Sequence, residues 1–393
     1  MPPYKGLAII IPTRNRAELA KNAINSVLEQ GQDDVYVIFS DNSTEELEVE
    51  ELKSFCDKLN HPNLTYIRSP ESMSMTNHWD WAIKYILDND KFNNITHFLW
   101  LADRNVLIKN SIVNLKNIIV QNPLDLISYN FLTLNDIKKP VTISRIKKFE
   151  NTVKKIYSED FLYEIYTNVK YPTAIMPLNL ISAAPRYMLD RLRQKHNNIF
   201  ASTSPDACFA YRILAEYDYY LEYDKAINIS YALSKSNNYS YMTGEKNDTS
   251  KDFASFYKKD VLFPDAMIPE IEISENALIN EYCYVAKETN SSKFKKINLN
   301  KYFEFLANNI NLMNNDKLKK YYFSILKKYG YKPKNKFVQL KENLLNLYLS
   351  FRKIFHLRKN FLKMKNFLSG ISDNKKIKFY SVQEAIEYIN NNL

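Results

Sequence analysis

The sequence predicts an α/β domain of parallel strands and covering helices over residues 1–235, a linker over 236–260 and an α-helical C-terminal domain over 261–393. Three observations carry this reading. Short, continuously apolar, β-branched runs alternate with helix-period segments in the first half of the chain, as in sheets buried on both faces. Successive runs end in polar clusters, which a parallel arrangement with right-handed crossovers lines up along one edge. Beyond residue 260 the apolar positions fall at helical spacing.

Residues 7–11, closed by Pro12, form the first strand. The turn Thr13-Arg14-Asn15-Arg16 leads into a helix with Leu19, Ala20, Ala23, Ile24, Val27 and Leu28 on its apolar face, Asn15 and Glu18 at its start and Gly31 as its stop. A second strand over 35–39 ends in Ser40-Asp41-Asn42-Ser43, and a helix over 45–59 with a strand over 64–67 repeats the unit. A polar loop from Ser69 runs through Met73-Ser74-Met75-Thr76-Asn77-His78-Trp79 into a helix ending near Leu87. The apolar run beginning at His97 stops at Asp103-Arg104-Asn105, so Asp103 emerges where a strand leaves the sheet, the place where open α/β sheets bind ligands. Helix follows at 111–120, strands at 124–129 and 141–146, a short helix at 160–169, and a basic helix at 185–195 carrying Arg186, Arg191, Arg193 and Lys195.

Composition narrows the function classes. The formal charge of +10 suggests an anionic partner: nucleic acid, a phospholipid surface or a phosphorylated substrate. Cys56, Cys208 and Cys283 are far apart and odd in number, so no disulfide framework or paired-cysteine metal site is expected, which fits a cytoplasmic protein. With five glycines in 393 residues, neither a dinucleotide-binding nor a Walker-type glycine loop is present. No apolar run is long enough to span a bilayer.

Five pieces, in order, resemble the family 2 glycosyltransferases of GT-A fold, a Rossmann-like nucleotide-diphospho-sugar transferase architecture. They are Ile10-Ile11-Pro12-Thr13-Arg14-Asn15-Arg16, Phe39-Ser40-Asp41-Asn42-Ser43, the Met73–Trp79 motif, Leu101-Ala102-Asp103-Arg104-Asn105 and Ser204-Pro205-Asp206. The resemblance implies an inverting enzyme that moves a sugar from a nucleotide-diphosphate donor, most often a UDP-sugar, to a hydroxyl of a glycan or lipid-linked acceptor in capsule, O-antigen or lipooligosaccharide synthesis. It places Pro12, Thr13 and Arg14 against the nucleotide, Asp41 with Asn42 and Ser43 at the base, and Asn77 near the ribose or diphosphate. Asp103 falls in the family's D-x-D region, where acids hold Mg²⁺ or Mn²⁺ on the diphosphate. Here the chain departs from the family, because Asp103 is followed by Arg104 and Asn105, not by a further acid. A cation fixed at 4 Å opposes a metal by about 4 kcal/mol at an effective dielectric of 20. Two arrangements stay open: a metal held by Asp103, or Arg104 neutralising the diphosphate in its place.

The resemblance makes Asp206 the candidate general base, the group that takes the proton an attacking hydroxyl must lose. Read locally, the same acid is a first-turn residue of a helix over 207–214 with Pro205 at its start. In the C-terminal part, residues 302–312, 317–329, 337–351 and 381–389 read as helices. Residues 351–368 combine an apolar stripe with six positive charges and no acid, a pattern suited either to peripheral contact with an anionic membrane, on its inner face, or to packing against neighbouring helices. Two rivals remain: a sugar nucleotidyltransferase, which needs a glycine-rich phosphate turn that Pro12–Arg16 lacks, and a non-catalytic protein binding an anionic polymer. No nucleic-acid partner is expected of the enzyme.

Overall fold

Strand β1 (Leu7–Thr13) is central because it carries nothing that needs water: residues Leu7 to Ile11 are fully buried, on both faces of the sheet. The computed structural model describes residues 4–143, 149–170, 172–245, 247–257, 261–333 and 377–392. β1 pairs in parallel with β2 (Val35–Asp41) on one side and with β4 (His97–Trp100) on the other, and β2 pairs in parallel with β3 (Leu64–Arg68). Helices α1 (Ala17–Leu28), α2 (Glu46–Leu59) and α3 (Met75–Leu87) make the crossovers. Thr13 of β1 lies opposite Asp41 of β2, so both polar termini reach the same edge.

Side-chain alternation splits the core in two. Ile9, Ile11, Val37, Phe39 and Leu99 pack with α1, α2 and α4 (Ser111–Gln121) on one face. Ile10, Ile38, Phe98 and Trp100 point to the other. There Trp100 meets Phe200 edge-on with centroids 5.2 Å apart and Phe209 at 6.5 Å. Trp100→Ala is expected to cost about 3–5 kcal/mol of unfolding free energy, through the lost transfer term plus a cavity the sheet cannot close. Urea denaturation monitored by circular dichroism measures it.

The expectation of parallel strands throughout fails in the second half. Beyond β4 come β5 (Asn105–Leu107), β6 (Ile127–Asn135), β7 (Val141–Ile143), β8 (Val153–Tyr157), β9 (Ser182–Pro185) and β10 (Tyr219–Ser230). The sheet path runs β7-β6-β9-β4-β1-β2-β3, with β9 antiparallel to both β4 and β6, and β10 parallel to β6 but antiparallel to β5 and β8. Residues 136–140 between β6 and β7 are too few for a crossover, so that pair must run antiparallel. Among the interspersed helices, α5 (Ser158–Asn168) precedes β9, while α6 (Arg186–His196) and α7 (Pro205–Glu216) follow it.

Residues 236–260, read from their polarity as a linker, contain two short helices, α8 (Asn237–Thr243) and α9 (Asp248–Ser255). The polar residues are their caps: Ser236 Oγ accepts from Tyr239 N, and Asn247 Oδ1 accepts from Ser250 N at 2.8 Å. After them α10 (Ser274–Thr289), α11 (Leu299–Leu312) and α12 (Asp316–Lys328) share one continuous hydrophobic cluster with α3, α6 and α7. The C-terminal region is also not wholly helical. A strand, β11 (Ile377–Phe379), joins the sheet antiparallel to β7, and α13 (Val382–Asn392) covers it. Glu384 N donates to Ser381 Oγ at 3.0 Å, as the Ser-x-x-Glu spacing predicts. The basic stripe over 351–368 and the helix expected over 337–351 lie outside the described residues. Among the described residues, no helix is long and apolar enough to cross a membrane.

Candidate active site

A cavity of about 550 Å³ opens at the C-terminal ends of β1, β2 and β4. Its floor is the Pro12–Arg16 turn, which the left-handed Asn15 (φ 52) makes possible; asparagine tolerates that conformation better than other non-glycine residues. Asn15 does not start α1 as its position suggests. Its Oδ1 accepts from Thr44 N at 2.8 Å, tying the turn after β1 to the turn after β2, while Glu48 supplies the acceptor for Ala17 N.

Asp103 is almost fully buried at the rim of this cavity. Its Oδ2 accepts from Thr13 Oγ1 at 2.8 Å and sits 2.8 Å from Arg16 Nε. The cation paired with Asp103 is therefore Arg16, not its sequence neighbour. Arg104 turns toward β10, where its guanidinium donates to Ser230 Oγ at 2.5 Å and to the Tyr231 carbonyl at 3.3 Å, and it does not line the cavity. Mg²⁺ on a diphosphate is usually held by one or two carboxylates together with phosphate oxygens and waters. Asp103 is a single carboxylate with one oxygen engaged by a hydroxyl and a guanidinium, and no group of three or more potential metal ligands exists among the described residues. A divalent ion on the other Asp103 oxygen would stand beside the Arg16 guanidinium, a like charge that opposes it.

Arg14 projects across the opening. It holds Asp252 of α9 through Nε at 2.6 Å and Nη2 at 3.0 Å, reaches the Asn42 carbonyl at 3.1 Å, and lies 4.9 Å from the Phe256 ring centroid. Asp248, Phe253 and Phe256 complete a wall that α9 builds over the cavity. Below it, His78 Nε2 is 2.7 Å from Ser40 Oγ; burial, with Arg14 adding, pushes the imidazole down to about 3, so it is neutral.

The remaining predicted residues separate. Asn42 lines the cavity, and its amide bonds Met73 backbone in both directions, donating to the carbonyl at 2.8 Å and accepting from the N–H at 3.0 Å. Asp41 does not face it: the fully buried carboxylate accepts from Tyr66 Oη and from Ser43 N, each at 2.8 Å. Ser43 Oγ accepts from Asn15 N at 3.0 Å, which makes it a brace for the turn. Asn77 lines a second cavity of about 510 Å³, which shares Met73 and Phe256 with the first. Ser202 and Thr203 line that second cavity too, whereas Asp206, in the first turn of α7, lines neither cavity. Asp206 Oδ1 accepts from Ala207 N at 2.9 Å, and burial holds its carboxyl above the usual carboxylate range. The arginine-rich helix is committed elsewhere. Arg186 donates to the carbonyls of Leu87 and Phe92, Arg193 pairs with Asp88, and Lys195 with Glu216. These bonds fix α6 to its neighbours.

With this geometry in place, residues 8–89 match the family model described as Glycosyl transferase family 2. The matched segment is the first part of the sheet domain. It contains all but the first residue of β1, with β2, β3 and α3, and so the whole of the arginine-bearing turn and the Asn42–Met73 brace of the cavity. Among solved structures the chain is similar to S. aureus TarS 1–349 in complex with UDP-GlcNAc, at 14% identity and TM-score 0.42, covering 80% of this chain and 82% of that one. The same protein in complex with UDP gives 13% identity and TM-score 0.43 over 82% and 91%. A longer TarS structure gives 14% and 0.41, covering 80% of this chain and 50% of that one. No curated protein sequence matches. Beyond the matched segment, Ala102-Asp103-Arg104 lacks the adjacent acids that the resemblance implies, and Arg16, Lys235 and His78 line the cavity where sequence reasoning had not placed them. Arg16 was within reach of that reasoning, since it closes the same turn as Arg14.

Proposed function

We propose that the chain is an inverting glycosyltransferase that binds a nucleotide-diphosphate sugar, with UDP the expected nucleotide, and transfers the sugar to an acceptor hydroxyl. The observation that carries this is the cavity at the ends of β1, β2 and β4, walled by the Pro12–Arg16 turn and lying mostly within the family-matched segment. Arg14 and Arg16 carry the diphosphate charge in place of a metal, because guanidinium forks match phosphate oxygens and the lone Asp103 is already paired. The second cavity receives the acceptor, and Asp206, three residues past its Thr203 wall, takes the proton of the attacking hydroxyl in a single displacement. The acceptor belongs to surface-polysaccharide assembly in this reading, with residues 351–368 available for contact with an anionic membrane.

The test is a thermal-shift screen against nucleotide sugars, each with Mn²⁺ and with EDTA. A ligand at 100 times its Kd adds about 2.7 kcal/mol to the folded state, a readily measured rise in Tm. A cognate nucleotide-diphosphate sugar is expected to raise Tm equally in both conditions. No shift with any nucleotide sugar overturns the donor reading, and a shift abolished by EDTA overturns the arginine assignment alone.

A further inference from the structure

Helix α10 reaches the turn that precedes Asp206 with a buried acid. Glu281 is fully buried, and its Oε1 accepts from Ser202 Oγ at 2.8 Å, Asn280 Nδ2 at 3.0 Å, Ser204 N at 3.1 Å and Thr203 Oγ1 at 3.3 Å. Its Oε2 is buried with no hydrogen-bond partner. Such an atom is costly, and a chain selected only for stability has cheaper residues for this position. Burial, with the charge of Asp206 adding, pushes the Glu281 carboxyl up to about 8, so it is neutral at neutral pH.

The turn it holds is strained. Ser202 has φ 62, a left-handed conformation unfavourable for a residue with a Cβ. Thr76 Oγ1 of α3 donates to the Ser202 carbonyl at 2.8 Å from one side, while Glu281 gathers the Ser202 and Thr203 hydroxyls and the Ser204 N–H from the other. Such strain persists only where surrounding groups over-determine it, and it concentrates at functional turns. Ser202 and Thr203 line the second cavity, so the turn fixes both a wall of that cavity and the start of α7.

We infer that Glu281 is the positioning residue for Asp206: its buried carboxyl clamps the 202–204 turn and thereby sets where the Asp206 carboxylate stands relative to the acceptor. This rests on the reading of Asp206 as the base. It assigns a catalytic duty to the C-terminal region, from a residue 75 positions past the one it serves, with no contact to donor.

Glu281→Ala and Glu281→Gln in the full chain test the assignment. Glutamine keeps an acceptor oxygen and resembles the neutral acid; alanine removes the clamp. Displacing a catalytic group by about 1 Å costs roughly 10²-fold, so Glu281→Ala is expected to lower kcat by about 10–100-fold, with donor Kd from calorimetry unchanged. Amide hydrogen exchange at Ser204 accelerates in parallel, and Glu281→Gln restores both. Ser202→Ala, which removes the shortest of the clamp's bonds, repeats the kcat loss if Glu281→Ala fails to fold. Faster exchange at Ser204 without a fall in kcat overturns the positioning role, as does unchanged exchange in Glu281→Ala. A wild-type chain that binds donor and transfers no sugar overturns the reading of Asp206 itself, whatever the exchange data show.

Discussion

Asp206→Asn is expected to lower kcat for glycosyl transfer by about 10²–10⁴-fold, the usual worth of general-base assistance, and to leave donor affinity unchanged. The substitution isolates the proton-accepting role. Asparagine keeps the side-chain oxygen that accepts from Ala207 N, so the first turn of α7 retains its local bond. Asp206 lines neither cavity wall that holds the donor, so a loss of donor affinity has no local route. If the acid is only a first-turn helix residue, kcat stays near its wild-type value, and that result sinks the assignment. Stability supplies a second readout with the opposite sign to a structural role. Burial raises the Asp206 pKa, so the folded chain holds this proton more tightly than the unfolded chain does, and the ionised form costs stability. That cost is absent below the unfolded carboxylate pKa and grows as pH rises toward and through the raised one. Asp206→Asn removes it, so the variant is expected to melt no lower than wild type at neutral pH, with its advantage shrinking toward acid. The activity profile follows the same group: kcat falls as pH drops through the raised pKa, and the residual rate of Asp206→Asn loses that limb. Denaturation and steady-state kinetics across the acid range read both.

The first four strands were legible because continuous apolar runs admit one fate, burial on both faces, and the polar residues after them must then gather at an edge. That brings Thr13, Arg14, Asn42 and Asp103 to the edge, and the family resemblance assigned them to a donor site. What resisted reading depended on contacts distant in sequence. Arg104 adjoins Asp103, but β5 begins at Asn105 and pairs with β10, which draws the guanidinium to Ser230 and Tyr231 and leaves Asp103 to Arg16. No local pattern tells which of two arginines an acid will meet across the sheet. Polarity misled at α8 and α9, since Ser236 and Asn247 are equally at home in loops and at helix N-caps. β11 is a three-residue strand whose partner, β7, lies more than two hundred positions earlier, beyond the reach of periodicity. Glu281 gave no signal because buried acids carry no sequence mark; its role exists only once α10 is packed on α7.

Arg14→Ala is expected to weaken nucleotide-diphosphate-sugar binding by about 10–100-fold, whereas Asp252→Ala tightens it by a few-fold. Arg14 is bidentate to the Asp252 carboxylate, an anion seated where the reading above puts phosphate oxygens. The two anions compete for one fork. Hydrogen bonds to charged groups are worth about 1.5–3 kcal/mol, and removing the guanidinium forfeits that for the diphosphate. The opposing effect is smaller because Asp252 is 41% exposed on its side chain, and exposed ion pairs contribute only about 0–1 kcal/mol. Removing it releases Arg14 at little cost and relieves repulsion between the carboxylate and the incoming diphosphate. The same contrast separates this picture from a passive wall. Were α9 simply packed on the cavity, both substitutions would loosen it through the Arg14–Phe256 contact and both would weaken binding. Calorimetric titration of a nucleotide-diphosphate sugar into the two variants decides it: affinities moving in opposite directions support competition, and a parallel loss overturns it. Salt discriminates further, because the advantage of Asp252→Ala is a surface electrostatic effect and is expected to fade between low and physiological ionic strength.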